Sequence, residues 1–377
     1  MRESRLFGGS WPPEAWEYTE PPRFEPHPWL RSGALQTLAA RYLPGRRVRL
    51  PACYVELRLE DGDRLAVLDS RPAGWRAGQP VVLLVHGLGG CARAPYVTRI
   101  AARLVRAGIR VVRMNLRGAG AGFGLARGIY HAGRTGDLRV VAEWIAKGAK
   151  GSPVGLVGLS LGGNLVLKLA AEASDVALPG LDCVVAANPP LDLSACCRHL
   201  REPANRLYDA NFVRVLRTQV ERLHEWFPGL GPVDWAEIDS LYAFDDRYTA
   251  PRNGYEGAEA YYAASSAGPL LGRIRVEGLV VHAADDPFIP LPTVESAPFP
   301  ANLRLEVVSA GGHLGYISRD HWAGDRRWLD ARLVHWLMRR WAGATNRTGG
   351  LPDRTYSVVS SRLEGDATAH DQPLRHE

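Results

Sequence analysis

The segment Gly158-Leu159-Ser160-Leu161-Gly162 offers a nucleophile in the setting that a nucleophile needs. It follows the apolar run VGLV and opens the helical stretch LGGNLVLKLAAEA. A strand–turn–helix junction of the G-x-S-x-G kind bends the backbone sharply while leaving the hydroxyl exposed. Small neighbours make that bend possible, and Gly158, Gly162 and Gly163 supply them. A serine hydroxyl is a poor nucleophile near neutral pH, so a base must accept its proton. An acid must then hold the base in one tautomer and stabilise its cation. The chemistry of such a set is attack on an acyl carbonyl.

In chain order, an acid and then a histidine are expected after a serine of this type. The chain has Ala283-Ala284-Asp285-Asp286-Pro287 after one apolar run and Ala310-Gly311-Gly312-His313 after another. Both stretches fall at the C-terminal ends of expected strands, the edge along which open α/β sheets build their sites. His313 is the expected base, and its two preceding glycines leave its ring free to approach Ser160. His282 lies inside a strand, and His131, in a loop with Tyr130, stays in competition. Asp286 is the expected acid, with Asp285 as the open alternative. His86-Gly87-Leu88-Gly89-Gly90 follows VVLLV and fits a loop that lends a backbone N–H to an oxyanion. The expected oxyanion donors are the N–H groups of Leu88 and Leu161.

The elements that must position these residues show in the apolar rhythm. CYVELRLE, the turn EDGD and RLAVLDS read as a β-hairpin over 51–70. Apolar runs at 81–85, 109–115, 154–158, 181–188, 278–284 and 303–310 alternate with helical stretches near 94–107, 135–148, 161–174 and 324–341. Continuous apolar strands separated by helices imply a mostly parallel, doubly wound sheet covered on both faces. The rhythm breaks at Pro189-Pro190, and residues 191–270 read as a helical insertion placed where a lid would sit. Residues 1–44 read as an extended arm followed by a helix over His27 to Leu43 that packs on the main body. Residues 45–342 form the catalytic domain, and the polar stretch 343–377 reads as a disordered tail.

Bulk properties narrow the function class. The 377 residues are 46% hydrophobic and 23% charged, enough for a large core. The net charge of +6 comes mostly from scattered arginines, which gives no nucleic-acid patch. The five cysteines follow no disulfide or zinc spacing. RGAGAGFG at 117–124 matches no dinucleotide or phosphate-loop pattern, so no cofactor and no metal are expected. No secretory leader or membrane span is visible, so the default location is cytoplasmic. Arg117 and the Asp246-Arg247 pair are read as internal ion pairs rather than as substrate contacts.

The blocks HGLGG, NLRG, YHAGRTGDL, GLSLGGN, ANPPLDL, FDDRYTAP, AADDPF and GGHLGY, in this order, resemble the YheT-type (embryogenesis-associated) branch of the α/β-hydrolases. The early segment HPWLRSGALQTL is similar to it too, and the likeness runs from about residue 27 to 341. Asp286-Pro287-Phe288-Ile289-Pro290 resembles the D-x-x-[IV]-P run that often follows the acid in this superfamily. The resemblance implies an α/β-hydrolase fold and a Ser160–Asp286–His313 hydrolase without metal or cofactor. It further implies carboxylesterase or lipase-like action on a small-molecule or lipid ester, and the apolar insertion favours short- to medium-chain acyl groups. The long polar C-terminal stretch departs from the family. Two other readings stand beside this one. An acyltransferase would use the same three residues, although the H-x-x-x-x-D signature is absent from the relevant loops. A hydrolase-like scaffold that only binds a ligand would not need all three.

Overall fold

The computed structural model describes residues 21–43, 48–322 and 325–345. Most of the expected N-terminal arm and nearly all of the expected C-terminal tail lie outside these residues. The chain begins with helix α1 (Gly33–Tyr42) and the hairpin β1 (Cys53–Arg58) and β2 (Arg64–Ser70). Strands and helices then alternate: β3 (Val81–Val85), α2 (Pro95–Arg106), β4 (Arg110–Met114), α3 (Thr135–Gly148), β5 (Val154–Leu159), α4 (Leu161–Glu172) and β6 (Leu181–Ala187). An insertion follows, made of α5 (Leu193–Leu200), α6 (Arg206–Trp226), α7 (Leu241–Phe244), a π-helical turn Asp245–Thr249, α8 (Ala250–Arg252) and α9 (Ala258–Ser265). The chain returns through β7 (Glu277–Ala283), α10 (Leu291–Glu295), β8 (Leu303–Val308), the small hairpin β9 (Ile317–Trp322) and β10 (Asp325–Arg327), and α11 (Trp328–Thr345).

The eight-stranded sheet has the order β1-β2-β4-β3-β5-β6-β7-β8. The first hairpin joins antiparallel through β2 and β4, and the pairs from β4 to β8 are parallel. The apolar strands are buried on both faces, as parallel strands under helices must be. Alternation along β3 divides the core. Val81, Leu83 and Val85 face the layer that holds Leu138, Val141 and Leu165, whereas Val82 and Leu84 face Ile100, Leu104, Leu333 and Leu337. After β3 the chain goes to β4 on one side, and it then returns to β5 on the other. The loops after β3 and β5 thus flank the switch point, where α/β sheets leave a crevice.

Three details depart from the sequence reading. Helix α1 starts at Gly33 rather than at His27, because Ser32 caps it by accepting from the N–H of Leu35. The stretch before it turns at Pro28–Trp29 instead, with Leu30 N donating to His27 O, and Pro26 just ahead bridges to Ser318. The hairpin β9–β10 was not expected, since ISRDHW lacks the apolar alternation of a half-buried strand. Asp246 and Arg247 are not an internal pair: both side chains are exposed, and Arg247 pairs with Glu237 at the surface.

Arg117 does hold an internal network. Its guanidinium reaches Asp137 twice, at 2.7 and 3.0 Å, and Asp61 and Asp63 at 2.5 and 2.7 Å. It ties the turn of the first hairpin to the start of α3. Removing the cation strands the buried Asp137 carboxylate, a loss of about 3–5 kcal/mol. Arg117→Met is expected to lower unfolding stability by that order in a urea titration. An unchanged midpoint together with a raised KM would return Arg117 to substrate binding.

Candidate active site

Ser160 stands between β5 and α4 with φ 54° and ψ −123°. A non-glycine residue there is strained by about 1–3 kcal/mol, which persists only where the surroundings fix it. Its N–H donates to Ala187 O, and its carbonyl accepts from Gly163 N at 2.7 Å. The turn is too tight for side chains on either flank. A Cβ on Gly158 would lie 2.1 Å from Gly162 O, and one on Gly162 would lie 2.5 Å from Val85 O. These close approaches explain the glycines of the motif.

The structure brings Ser160, His313 and Asp286 together. Ser160 Oγ lies 2.8 Å from His313 Nε2, and His313 Nδ1 lies 2.8 Å from Asp286 Oδ2. With the hydroxyl donating to Nε2, Nδ1 carries the proton and donates to the carboxylate. The Asp286 carboxylate also accepts from Asn188 Nδ2 at 2.5 Å and from the N–H groups of Phe288 and Ile289 at 2.8 and 3.2 Å. Burial works against its charge, but the His313 imidazole and these donors outweigh it and hold the carboxyl below its ordinary range. Asp285 points elsewhere. It accepts from Gly312 N at 2.8 Å and so shapes the histidine loop without touching the imidazole, and burial pushes its carboxyl up.

Several residues that the sequence did not flag hold this set in place. Asn188 follows β6 at φ 45°, and its amide oxygen accepts from the Tyr316 hydroxyl at 2.7 Å. The His313 loop rests on α1. Thr37 Oγ1 accepts from His313 N at 2.8 Å, and the buried Gln36 bonds to both N–H and C=O of Ile317. A polar residue at the C-terminal end of an apolar run, as in AAN before Pro-Pro, is the sequence signal that could have found Asn188.

The loop after β3 is pinned from three sides. His86 is fully buried, donates from Nδ1 to Gly87 O and accepts at Nε2 from Leu116 N. Burial lowers its pKa to about 4, so the ring is neutral and bridges as a donor and an acceptor at once. The hydroxyls of Tyr96 and Tyr130 accept from Gly87 N and Gly89 N at 3.0 and 2.7 Å. Among the described residues, the N–H of Leu88 in this loop and the N–H of Leu161 opening α4 donate to no protein group. The positive end of the α4 dipole adds to the second. His131 takes no part in the set. It is packed against Tyr255 and Tyr261, and burial with two nearby arginines lowers its pKa to about 3.

Two apolar environments flank the serine. A cavity of about 70 Å³ lies beside Leu88 and Leu161 and is walled by Leu193, Leu216, Leu241 and Phe244. Its lining includes Asp245, whose carboxylate accepts from the Tyr262 hydroxyl at 2.9 Å and whose pKa burial raises to about 7. On the other side, the Phe288 ring lies tilted against His313 at 4.5 Å between ring centres, and Tyr208 and Phe212 of α6 pack edge-on against Phe288.

Comparison with known proteins agrees with this architecture. Residues 80–320 match the α/β-hydrolase fold family. The chain is 31% identical over 331 residues to the Escherichia coli (strain K12) protein named "Putative esterase YheT", covering 86% of this chain and 95% of that one. It is 28% identical over 272 residues to a monoacylglycerol lipase of Saccharomyces cerevisiae (strain ATCC 204508 / S288c), spanning 69% of this chain and 59% of the relative. The crystal structure of 2,6-dihydroxy-pseudo-oxynicotine hydrolase shares the fold at a TM-score of 0.54 and 19% identity, over 82% of this chain and 72% of that one. On these grounds the chain belongs to the α/β-hydrolase family and, within it, to the YheT-like branch.

Proposed function

We propose that the chain is a carboxylic ester hydrolase that works through an acyl-enzyme on Ser160. The observation that carries this reading is the unbroken line from Ser160 Oγ through His313 to Asp286, at 2.8 Å per step, beside two N–H groups without a protein partner. Ser160 Oγ attacks the ester carbonyl carbon while His313 Nε2 takes the hydroxyl proton. The carbonyl oxygen becomes an oxyanion held by the N–H groups of Leu88 and Leu161. Collapse breaks the bond to the leaving alcohol, which receives the proton from His313. Water then repeats the sequence and releases the carboxylic acid. Asp286 stays ionised and stabilises the imidazolium.

The two apolar environments assign the two halves of the ester. The cavity adjoins both oxyanion donors, so it takes the acyl tail. At about 70 Å³ the cavity is small, which suits a short acyl tail. The leaving alcohol must lie beside His313 to be protonated, and there it meets Phe288, Tyr208 and Phe212. An ester with a short acyl group and an apolar alcohol fits best. The helical insertion, which supplies Leu193, Leu216 and Phe244, acts as the cover over the acyl group.

A fluorophosphonate probe is expected to label the wild-type chain and to leave Ser160→Ala unlabelled. Ester turnover is expected to fall by roughly 10⁴ or more in Ser160→Ala and by about 10⁴ in Asp286→Asn. Labelling of Ser160→Ala at the wild-type rate would place the nucleophile elsewhere. With p-nitrophenyl esters, kcat/KM is expected to drop about tenfold or more between butyrate and octanoate. A profile that rises with chain length would remove the cavity from acyl binding. Asp245 gives a pH signature. Its pKa is higher folded than unfolded, so its contribution is full below about pH 4 and is lost as pH rises through about 7. The melting temperature of Asp245→Asn is therefore expected to gain on the wild type between pH 5 and pH 8, and parallel curves would contradict the burial argument.

A further inference from the structure

Helix α1 has two faces with different work. Its inner stripe, Gly33, Gln36 and Ala39, is buried against the loops that carry Asp285 and His313. Gly33 is required there, because a Cβ would meet Asp285 O. The outer stripe holds Leu35, Leu38 and Tyr42, spaced three and four apart and so on one side of the helix. Leu35 is 47% exposed, Leu38 43% and Tyr42 73%, and Trp29, just ahead of the helix, is 85% exposed. Packing among the described residues leaves these four side chains largely uncovered, Trp29 meeting the His27 ring edge-on. A surface helix ordinarily turns polar groups outward.

Charge singles out the occupant. The stretch His27 to Leu43 contains Arg31 and Arg41 and no aspartate or glutamate. Both arginines are exposed, and neither pairs with a carboxylate among the described residues. Apolar side chains with a tryptophan and a tyrosine, flanked by unpaired cations, have the make-up of a helix that lies in a lipid–water interface. Trp and Tyr rings suit the headgroup level, where one end is apolar and the other wet. A second copy of the chain would have to set Arg31 and Arg41 against like charges or find carboxylates that this segment lacks. No described helix is long and apolar enough to cross a bilayer.

We propose that the outer face of α1, made of Trp29, Leu35, Leu38 and Tyr42 between Arg31 and Arg41, docks the protein on an anionic lipid surface. The docked helix lies flat, with its apolar stripe between the headgroups and the first methylenes. Its inner stripe then holds the His313 loop about one helix diameter, roughly 10 Å, from that surface. An ester with an apolar alcohol partitions into the same interface.

The test is co-sedimentation of the full chain with vesicles, a measurement that needs no turnover and so stands apart from the hydrolase reading. The wild type is expected to sediment with vesicles of phosphatidylglycerol and phosphatidylcholine in equal parts. Leu35→Gln/Leu38→Gln/Tyr42→Gln keeps helix-forming residues on the outer face and is expected to lower the bound fraction about tenfold. The same variant is expected to hydrolyse soluble p-nitrophenyl acetate like the wild type, which separates lost docking from lost folding. Arg31→Gln and Arg41→Gln are each expected to weaken binding to the anionic vesicles about fivefold, with pure phosphatidylcholine unaffected. Equal sedimentation of wild type and triple variant overturns the proposal, as does a wild type that never sediments. A wild-type dimer by light scattering that the triple variant turns into a monomer also overturns it, and gives the face to a second copy.

Discussion

A chain of hydrogen bonds runs from Ser160 Oγ through His313, Asp286 and Asn188 to the hydroxyl of Tyr316. Its members come from the ends of β5 and β6 and from the loops after β7 and β8. No pair of them is local in sequence, apart from His313 and Tyr316. The sheet must therefore fix the relative height of four strand ends to within a hydrogen-bond length. Parallel register does this: Leu159 stands opposite Ala187, Ala187 opposite Val281, and Ala283 opposite Val308. Each strand then releases its loop at the same edge. Most of the surrounding apolar packing serves that alignment, because a slip of one residue would turn every side chain to the other face.

The surroundings of the serine carry opposite electrostatic demands. Asp286 must stay charged although it is buried, and it receives donors from Asn188, Phe288 and Ile289 besides His313. His86 must stay neutral to bridge Gly87 and Leu116, and it receives no opposite charge at all. Asp245 has hydroxyl donors from Thr249 and Tyr262 but no ion pair among the described residues, and burial raises its pKa to about 7. Burial pushes all three toward the neutral form, and only Asp286 has an imidazole partner strong enough to reverse it.

The sheet was legible because its strands are continuous apolar runs, and such runs leave few alternatives once helices separate them. Ser160 was legible because glycine spacing, strand and helix coincide at one point. The approach of His313 followed from chain order and strand ends. The choice between Asp285 and Asp286 was not fixed by pattern: adjacent residues on a loop point in different directions, and only coordinates give the direction. The roles of Asn188, Thr37 and Tyr130 were not legible because each acts through hydrogen bonds to partners far along the chain. The hairpin Ile317–Trp322 with Asp325–Arg327 escaped because its residues are polar, and its pairing depends on the extended segment near Pro26 rather than on its own composition. Asp245 was hidden inside FDDRYTAP, where its exposed neighbour Asp246 drew the attention.

The bond from Thr37 to His313 joins residues 276 positions apart, and Gln36 to Ile317 spans 281. Contacts of such separation form late, since loop-closure entropy must be overcome before they contribute. A nascent chain emerging from a ribosome carries Ser160 long before the segment that holds the imidazole exists. Even then the imidazole loop has no floor until the first helix closes over it. On the proposed reading, a nascent chain that stops short of residue 313 carries the serine without the base that would activate it.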